Sequence, residues 1–219
     1  MSNSGWRRST TVIHRMLRRS AECLEDCSSS LRIPIEKVAA IYATAIRSGG
    51  RLWFAGNGGS AAQAMHTAAE YSVRFTKGPD RPAFPAFALV GDPVALTAAG
   101  NDYGMAGFIA RGVEAHCRPG DVLVLYSTSG ESLNLLEAAG VARRSCVLVV
   151  AWVGSLPCHL AELADYVVRA PSELAWDIQL AHLACEHAVT AMVLDLLAQP
   201  VAPALDLSSF IHTQAEAQR

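Results

Sequence analysis

The sequence predicts an α/β fold: a parallel sheet covered by helices on both faces and preceded by a helical segment. Three observations carry this expectation. From Arg51 onward short apolar runs recur, "RLWFAG", "AFPAFALVGD", "DVLVLYSTSG", "CVLVVAWVG" and "DYVVRAP", each followed by a turn and a stretch compatible with helix. The runs are continuous instead of alternating, so both faces of each strand are buried, as in a parallel sheet between helical layers. The chain has 219 residues and 51% hydrophobic content, which fits one compact domain with some decoration better than two full domains.

Taken in order, residues 6–48 place apolar side chains at helical spacing, with a break at Arg32-Ile33-Pro34, so two helices are expected at about 7–30 and 35–48. Cys23 and Cys27, one turn apart, mark a face of the first. The five strand-and-helix repeats follow. The last long element runs from Ser172 to about Gln199, with Ser172 as its N-cap, Glu173 as first-turn negative charge and Pro200 as its stop. That helix reads as apolar almost all round, the pattern of a helix packed against another subunit or domain. The expected organisation is therefore a helical, assembly-forming segment at 1–34, the α/β domain at 35–199 and a loosely ordered tail at 200–219.

Composition excludes several function classes. The formal charge of −2 carries no basic excess, and Arg7-Arg8 and Arg18-Arg19 read as a solvated helix face, so no nucleic-acid partner is expected. No uninterrupted apolar run approaches the roughly 20 residues of a membrane span, and the basic N-terminus is not followed by an apolar signal core, so the expectation is a cytoplasmic protein with no membrane partner. The six cysteines are scattered without a C-x-x-C pair, which argues against a zinc knuckle or a disulfide framework. Cys146, leading a strand-like run, is expected in the core.

Two loops fall at carboxyl ends of strands, where open α/β sheets bind ligands. Gly56-Asn57-Gly58-Gly59-Ser60-Ala61 matches G-x-G-x-x-A in form, but a dinucleotide site also needs an acid about 20 residues on, and the first acid ending a strand is Asp92, 36 residues past Gly56. The second loop, Ser127-Thr128-Ser129-Gly130-Glu131-Ser132, leads into a helix. Four hydroxyls in six residues at a helix start suit a compact phosphate monoester, although such serines also serve as plain helix caps. Behind the first loop, His66 and Glu70 are i,i+4 and project side by side from a helix, either as a surface pair or as an acid/base couple.

These motifs in order, "GNGGS", "H-x-x-x-E", "GNDYG" at 100–104, "STSGES" and a terminal helix bearing "IQ…H", resemble the sugar isomerase (SIS) domain, and within it the phosphoheptose isomerases. The resemblance covers roughly residues 35–198. It implies a flavodoxin-like sandwich, a homotetramer with active sites between subunits, and often a bound zinc ion. The implied activity converts sedoheptulose 7-phosphate to D-glycero-D-manno-heptose 7-phosphate through an enediol, for nucleotide-activated heptose synthesis. Residue by residue, Ser60, Ser127, Thr128, Ser129 and Ser132 match phosphate-binding positions. Asn57 in the glycine loop with Gly58, and Asp102, match sugar-contacting ones. His66, Glu70, Gln179 and His187 match the reaction centre and the zinc ligands, with Glu70 and His187 as the catalytic pair. Two departures stand out: Trp176 where an acid is common, with Asp177 displaced by one, and Glu131 where asparagine is frequent, a carboxylate unfavourable beside a phosphate unless it turns outward.

The chemistry suits these residues, since moving a proton from C1 to C2 needs one base that reaches both carbons and an acid/base that relays protons between the oxygens. Gln179 and His187 lie eight apart, about 12 Å of rise and some 80° of rotation on a helix, so service at one centre predicts a contribution from two copies of the helix. His182 is read as a core or interface histidine. Two other readings remain open at this level. One is a non-catalytic SIS module that senses a sugar phosphate or binds a protein, as replication-initiation factors of this fold do. The other is an isomerase for a different sugar phosphate.

Overall fold

The computed structural model describes residues 3–78 and 80–199, with side chains from residue 11 onward. Two helices, α1 (Asn3–Ser30) and α2 (Arg32–Arg47), precede five strands: β1 (Leu52–Gly56), β2 (Ala86–Ala88), β3 (Val122–Tyr126), β4 (Leu148–Val153) and β5 (Tyr166–Arg169). Between and after them come α3 (Gly59–Ser72), α4 (Pro93–Asp102), α5 (Gly104–His116), α6 (Leu133–Arg144), α7 (His159–Leu163) and α8 (Ala175–Ala198). Each strand falls inside one of the five apolar runs. All strand pairs are parallel and the order is β2-β1-β3-β4-β5, the flavodoxin-like order whose switch point lies between β1 and β3.

Strand alternation divides the core in two. Leu52, Phe54, Val122, Val124, Tyr126, Leu148, Val150 and Trp152 face α2, α3, α8 and the inner side of α1. Trp53, Ala55, Leu123, Leu125, Val149, Ala151 and Val153 face α5, α6 and α7. Fully buried strands need such double coverage, which is why alternation was missing from the sequence.

Several sequence expectations shift. The helix break comes earlier than Arg32-Ile33-Pro34: α2 begins at Arg32 and takes Pro34 into its first turn, where a missing N–H costs nothing. Ser172 does not cap α8; its Oγ accepts from Leu174 N in the preceding turn, and Leu174 occupies the N-cap position. Cys146 is exposed, not core. It takes the left-handed conformation (φ 54) just past α6, where Val147 N donates back to Ala142 O and closes the helix end. The expected tail at 200–219 and the stop at Pro200 lie outside the described residues.

α8 also differs from its sequence impression. It is long and apolar enough by length and composition to cross a bilayer, yet it lies against α1, α2 and α3. Its buried stripe includes Asp177, His182, Glu186 and Thr190. Asp177 accepts from Arg19 Nε (3.0 Å) and Ser20 Oγ (2.9 Å) of α1, which fastens the N-terminal helix to the start of α8. His182 is buried with Nε2 3.1 Å from Val153 O, and burial lowers its pKa to about 4, so it is a neutral core histidine.

Candidate active site

Gly56 and Tyr126 are register partners at the carboxyl ends of β1 and β3, so the glycine loop and the serine loop emerge side by side at the switch point. In the serine loop the buried Ser127 Oγ accepts from Gly130 N (2.9 Å) and Ser129 Oγ accepts from Glu131 N (3.2 Å). Gly130 has φ 69, and a Cβ there would stand 2.6 Å from Cys158 Cβ, so only glycine closes this turn. Ser132 occupies the N-cap of α6 without bonding to the helix, which keeps its hydroxyl available at a helix N-terminus. Ser60 is buried in the first turn of α3, facing the same junction.

Glu131 turns away from this loop. Its oxygens accept from His159 N (3.0 Å) and pair with His159 Nδ1 (2.5 Å), so its charge is directed at α7. The hydrogen bonds from His159 lower the Glu131 pKa, and Glu131 in turn raises that of His159.

Behind the glycine loop, α3 and α8 lie against one another and bring His66, Glu70 and His187 together. Glu70 Oε1 is 3.1 Å from His66 Nε2 and 3.2 Å from His187 Nε2, and the two Nε2 atoms are 3.2 Å apart. The Glu70 side chain is 9% exposed, whereas those of His66 and His187 are 52% and 39% exposed. The carboxylate therefore forms the floor and the imidazoles the rim. On its buried side Glu70 Oε2 accepts from Thr190 Oγ1 (3.4 Å). Arg81 donates to the carbonyl oxygens of Glu70 and Tyr71 and so fixes the end of α3.

Gln179 sits two turns before His187 and lies over Gly59: a Cβ at Gly59 would come within 2.8 Å of Gln179 Oε1. Gln179 and His66 line one cavity of about 400 Å³ together with Leu180 and Leu183. Sequence spacing had predicted that Gln179 and His187 need two copies of the helix to serve one centre. The structure places the two at separate points along the contact with α3, Gln179 beside Gly59 and His187 beside Glu70, in keeping with their spacing on α8. Within this chain the triad needs no partner residue.

Asp102 is not a member of the triad. It ends α4 with its carboxylate accepting from Asn101 Nδ2 (2.7 Å), outside the triad. Asp92, the nearest stand-in for a ribose-binding acid, is occupied in capping α4 through Val94 N and Ala95 N. Trp176 is exposed beside Arg15, Met16 and Arg19 of α1. A larger cavity of about 540 Å³, on the other face of the sheet around Trp53, Phe87 and Phe108, holds none of the expected residues.

Sequence reasoning missed three members of this region: Thr190, Arg81 and Asn134. Asn134, in the first turn of α6, exchanges two hydrogen bonds with Asn57, Nδ2 to Oδ1 at 3.0 and 2.8 Å. It also missed Glu186, buried one residue before His187 among Tyr42, Tyr71 and Tyr126, whose carboxyl is pushed up to about 8 by burial.

The triad fits a small divalent cation. Its three ligand atoms lie within 4.8 Å of one another. Tetrahedral zinc with bonds of about 2.0–2.1 Å separates its ligands by about 3.3 Å; the observed 3.1 and 3.2 Å are close to that. Two imidazoles and a carboxylate are a common donor set for such an ion.

Residues 16–154 match the family model of the SIS domain. The phosphoheptose isomerase of Rhodospirillum rubrum is 40% identical over 188 residues, 84% of this chain and 97% of its own. Among solved structures, the phosphoheptose isomerase of Neisseria gonorrhoeae superposes with a TM-score of 0.80 at 31% identity, covering 85% of this chain and 98% of that one. The phosphoheptose isomerase of Francisella tularensis does so at 0.81 and 28%, covering 84% and 97%.

Proposed function

The chain belongs to the SIS-domain family and, within it, to the phosphoheptose isomerases, and from that premise we propose that it converts sedoheptulose 7-phosphate to D-glycero-D-manno-heptose 7-phosphate for heptose biosynthesis. The observation that carries the reading is the Glu70 carboxylate, recessed and within 3.2 Å of both imidazoles, on the helix that follows the glycine loop.

In this reading the phosphate lies in the loop of Ser127, Thr128, Ser129 and Ser132, with Ser60 at its edge. Asn57, Gly58, Asp102 and Gln179 contact the sugar. Glu70 takes the C1 proton as general base, giving an enediol, and then delivers a proton to C2. Without a metal, His187 relays a proton between O1 and O2, while His66 orients Glu70 from the other side. A carboxylate on the floor and an imidazole at the rim divide the work between carbon and oxygen. Zinc is the proposed ion at His66, Glu70 and His187, with Gln179 as fourth donor, and when bound it would supply Lewis-acid polarisation of the carbonyl.

We further propose a cytoplasmic homotetramer with active sites completed between subunits, in which 1–34 forms the assembly segment ahead of the catalytic domain at 35–199. Support comes from apolar surface: Val12, Ile13, Met16 and Leu17 of α1 and Trp176 and Leu180 of α8 are exposed, and α4 buries no residue in the isolated chain. Incubating the purified protein with ketose phosphates of five, six and seven carbons tests the substrate. Turnover of the seven-carbon sugar above the others is expected, and a preference for a shorter sugar would reassign it.

A further inference from the structure

The two ligand loops are tied together by one reciprocal pair. Asn57, in the turn after β1, and Asn134, in the first turn of α6, each donate Nδ2 to the other's Oδ1, at 3.0 and 2.8 Å. Reciprocity fixes both amide planes, because flipping either group would set oxygen against oxygen and nitrogen against nitrogen. Each amide keeps one N–H and one acceptor lone pair uncommitted. The pair bridges the switch point, joining the loop that leads to His66 and Glu70 with the loop of Ser127 to Ser132.

We infer that Asn134 is a positioning residue, acting through Asn57 to hold that amide toward the sugar and to set the spacing between the anion loop and the triad. The inference rests on the isomerase reading for what Asn57 contacts; the latch itself stands on geometry. A free asparagine side chain in a surface turn samples several rotamers, and holding one in place removes that ordering cost from substrate binding and from the transition state. Asn134→Asp would keep the acceptor, lose the donor and add negative charge near the anion loop, so it should raise KM more than Asn134→Ala does.

The test is a double-mutant cycle of Asn57→Ala, Asn134→Ala and the double variant. It is read as kcat/KM on sedoheptulose 7-phosphate, with thermal midpoints as a control. Each single variant is expected to lose roughly tenfold, as loss of about one oriented hydrogen bond would. The double variant should lose no more than the worse single one, at an unchanged midpoint. Losses that multiply would overturn the inference, since Asn134 would then act independently of Asn57. Side-chain amide exchange by NMR separates this from the isomerase reading. Asn57 amide protons should exchange slowly in the wild type and faster in Asn134→Ala even if the protein turns over no sugar, and an Asn57 signal indifferent to Asn134→Ala would remove the latch whatever the activity.

Discussion

Glu70 Oε1 stands 3.2 Å from His187 Nε2 with both residues in one chain, the first on α3 and the second on α8. The packing of two helices, not the docking of two subunits, assembles this pair. A positioned base or acid contributes about 10²–10⁴-fold, so Glu70→Gln and His187→Ala should each lower kcat by that much. Sugar-phosphate binding should survive within about tenfold. Mixing the two inactive variants under subunit exchange should recover nothing, because every triad would keep one damaged member. Recovered activity would place the two residues on different subunits.

The serine loop should govern affinity. Ser127→Ala with Ser129→Ala removes two hydroxyls and the bonds that shape the turn, and should raise KM for a phosphorylated ketose about tenfold or more with a smaller change in kcat. Gly130→Ala forces a side chain into a left-handed position against Cys158 and should be at least as damaging. Steady-state kinetics decide, and an unchanged KM would take the loop out of the site.

Glu131 and His159 should make the serine loop sensitive to pH. The His159 pKa is raised above 6.5 by Glu131, so the paired state holds at and below that value and is lost as pH climbs through the folded pKa. The Glu131 pKa is lowered from 4.5, so its share persists above that value and is lost only in acid. Above the His159 pKa the Glu131 carboxylate loses its cation beside the loop, and KM should rise. Glu131→Gln should abolish that rise as pH climbs above 6.5 through the His159 titration. Parallel KM profiles in wild type and variant would contradict the pairing.

Glu186 should cost stability as pH rises. Its folded pKa of about 8 lies above the ordinary 4.5, so between those values the native state holds a proton that the unfolded chain releases. Stability therefore falls across this window, by a total on the order of 5 kcal/mol. Glu186→Gln keeps the shape and should flatten the decline, as followed by denaturant midpoints at several pH values. An equally steep decline in the variant would show that another group is responsible.

Much of this fold was legible because it is written locally. The apolar runs mark β1 to β5, and "GNGGS" and "STSGES" mark the turns at the switch point. What was not legible depends on register between distant elements. Spacing along α8 separates Gln179 from His187, and only the line of α3 beside it shows which residue each one meets, Gly59 and Glu70. Asn134 and Thr190 carry no motif of their own; each matters through a partner on another element, Asn57 and Glu70. Cys146 misled because a residue leading an apolar run also sits at a helix end, where the αL turn turned it outward.

In the proposed reaction Glu70 moves a proton between C1 and C2 through an enediol. Running the reaction on sedoheptulose 7-phosphate in D₂O and locating deuterium by NMR tests it most directly. Because both imidazoles beside Glu70 are open to solvent, the proton on the base should exchange, and the heptose product should carry deuterium at C2. Glu70→Gln should neither form product nor introduce label. Wild-type product formed at full rate with C2 bearing only protium carried from C1 would contradict a proton held on a solvent-open base, and product and C2 label that persist undiminished in Glu70→Gln would remove Glu70 from the proton transfer.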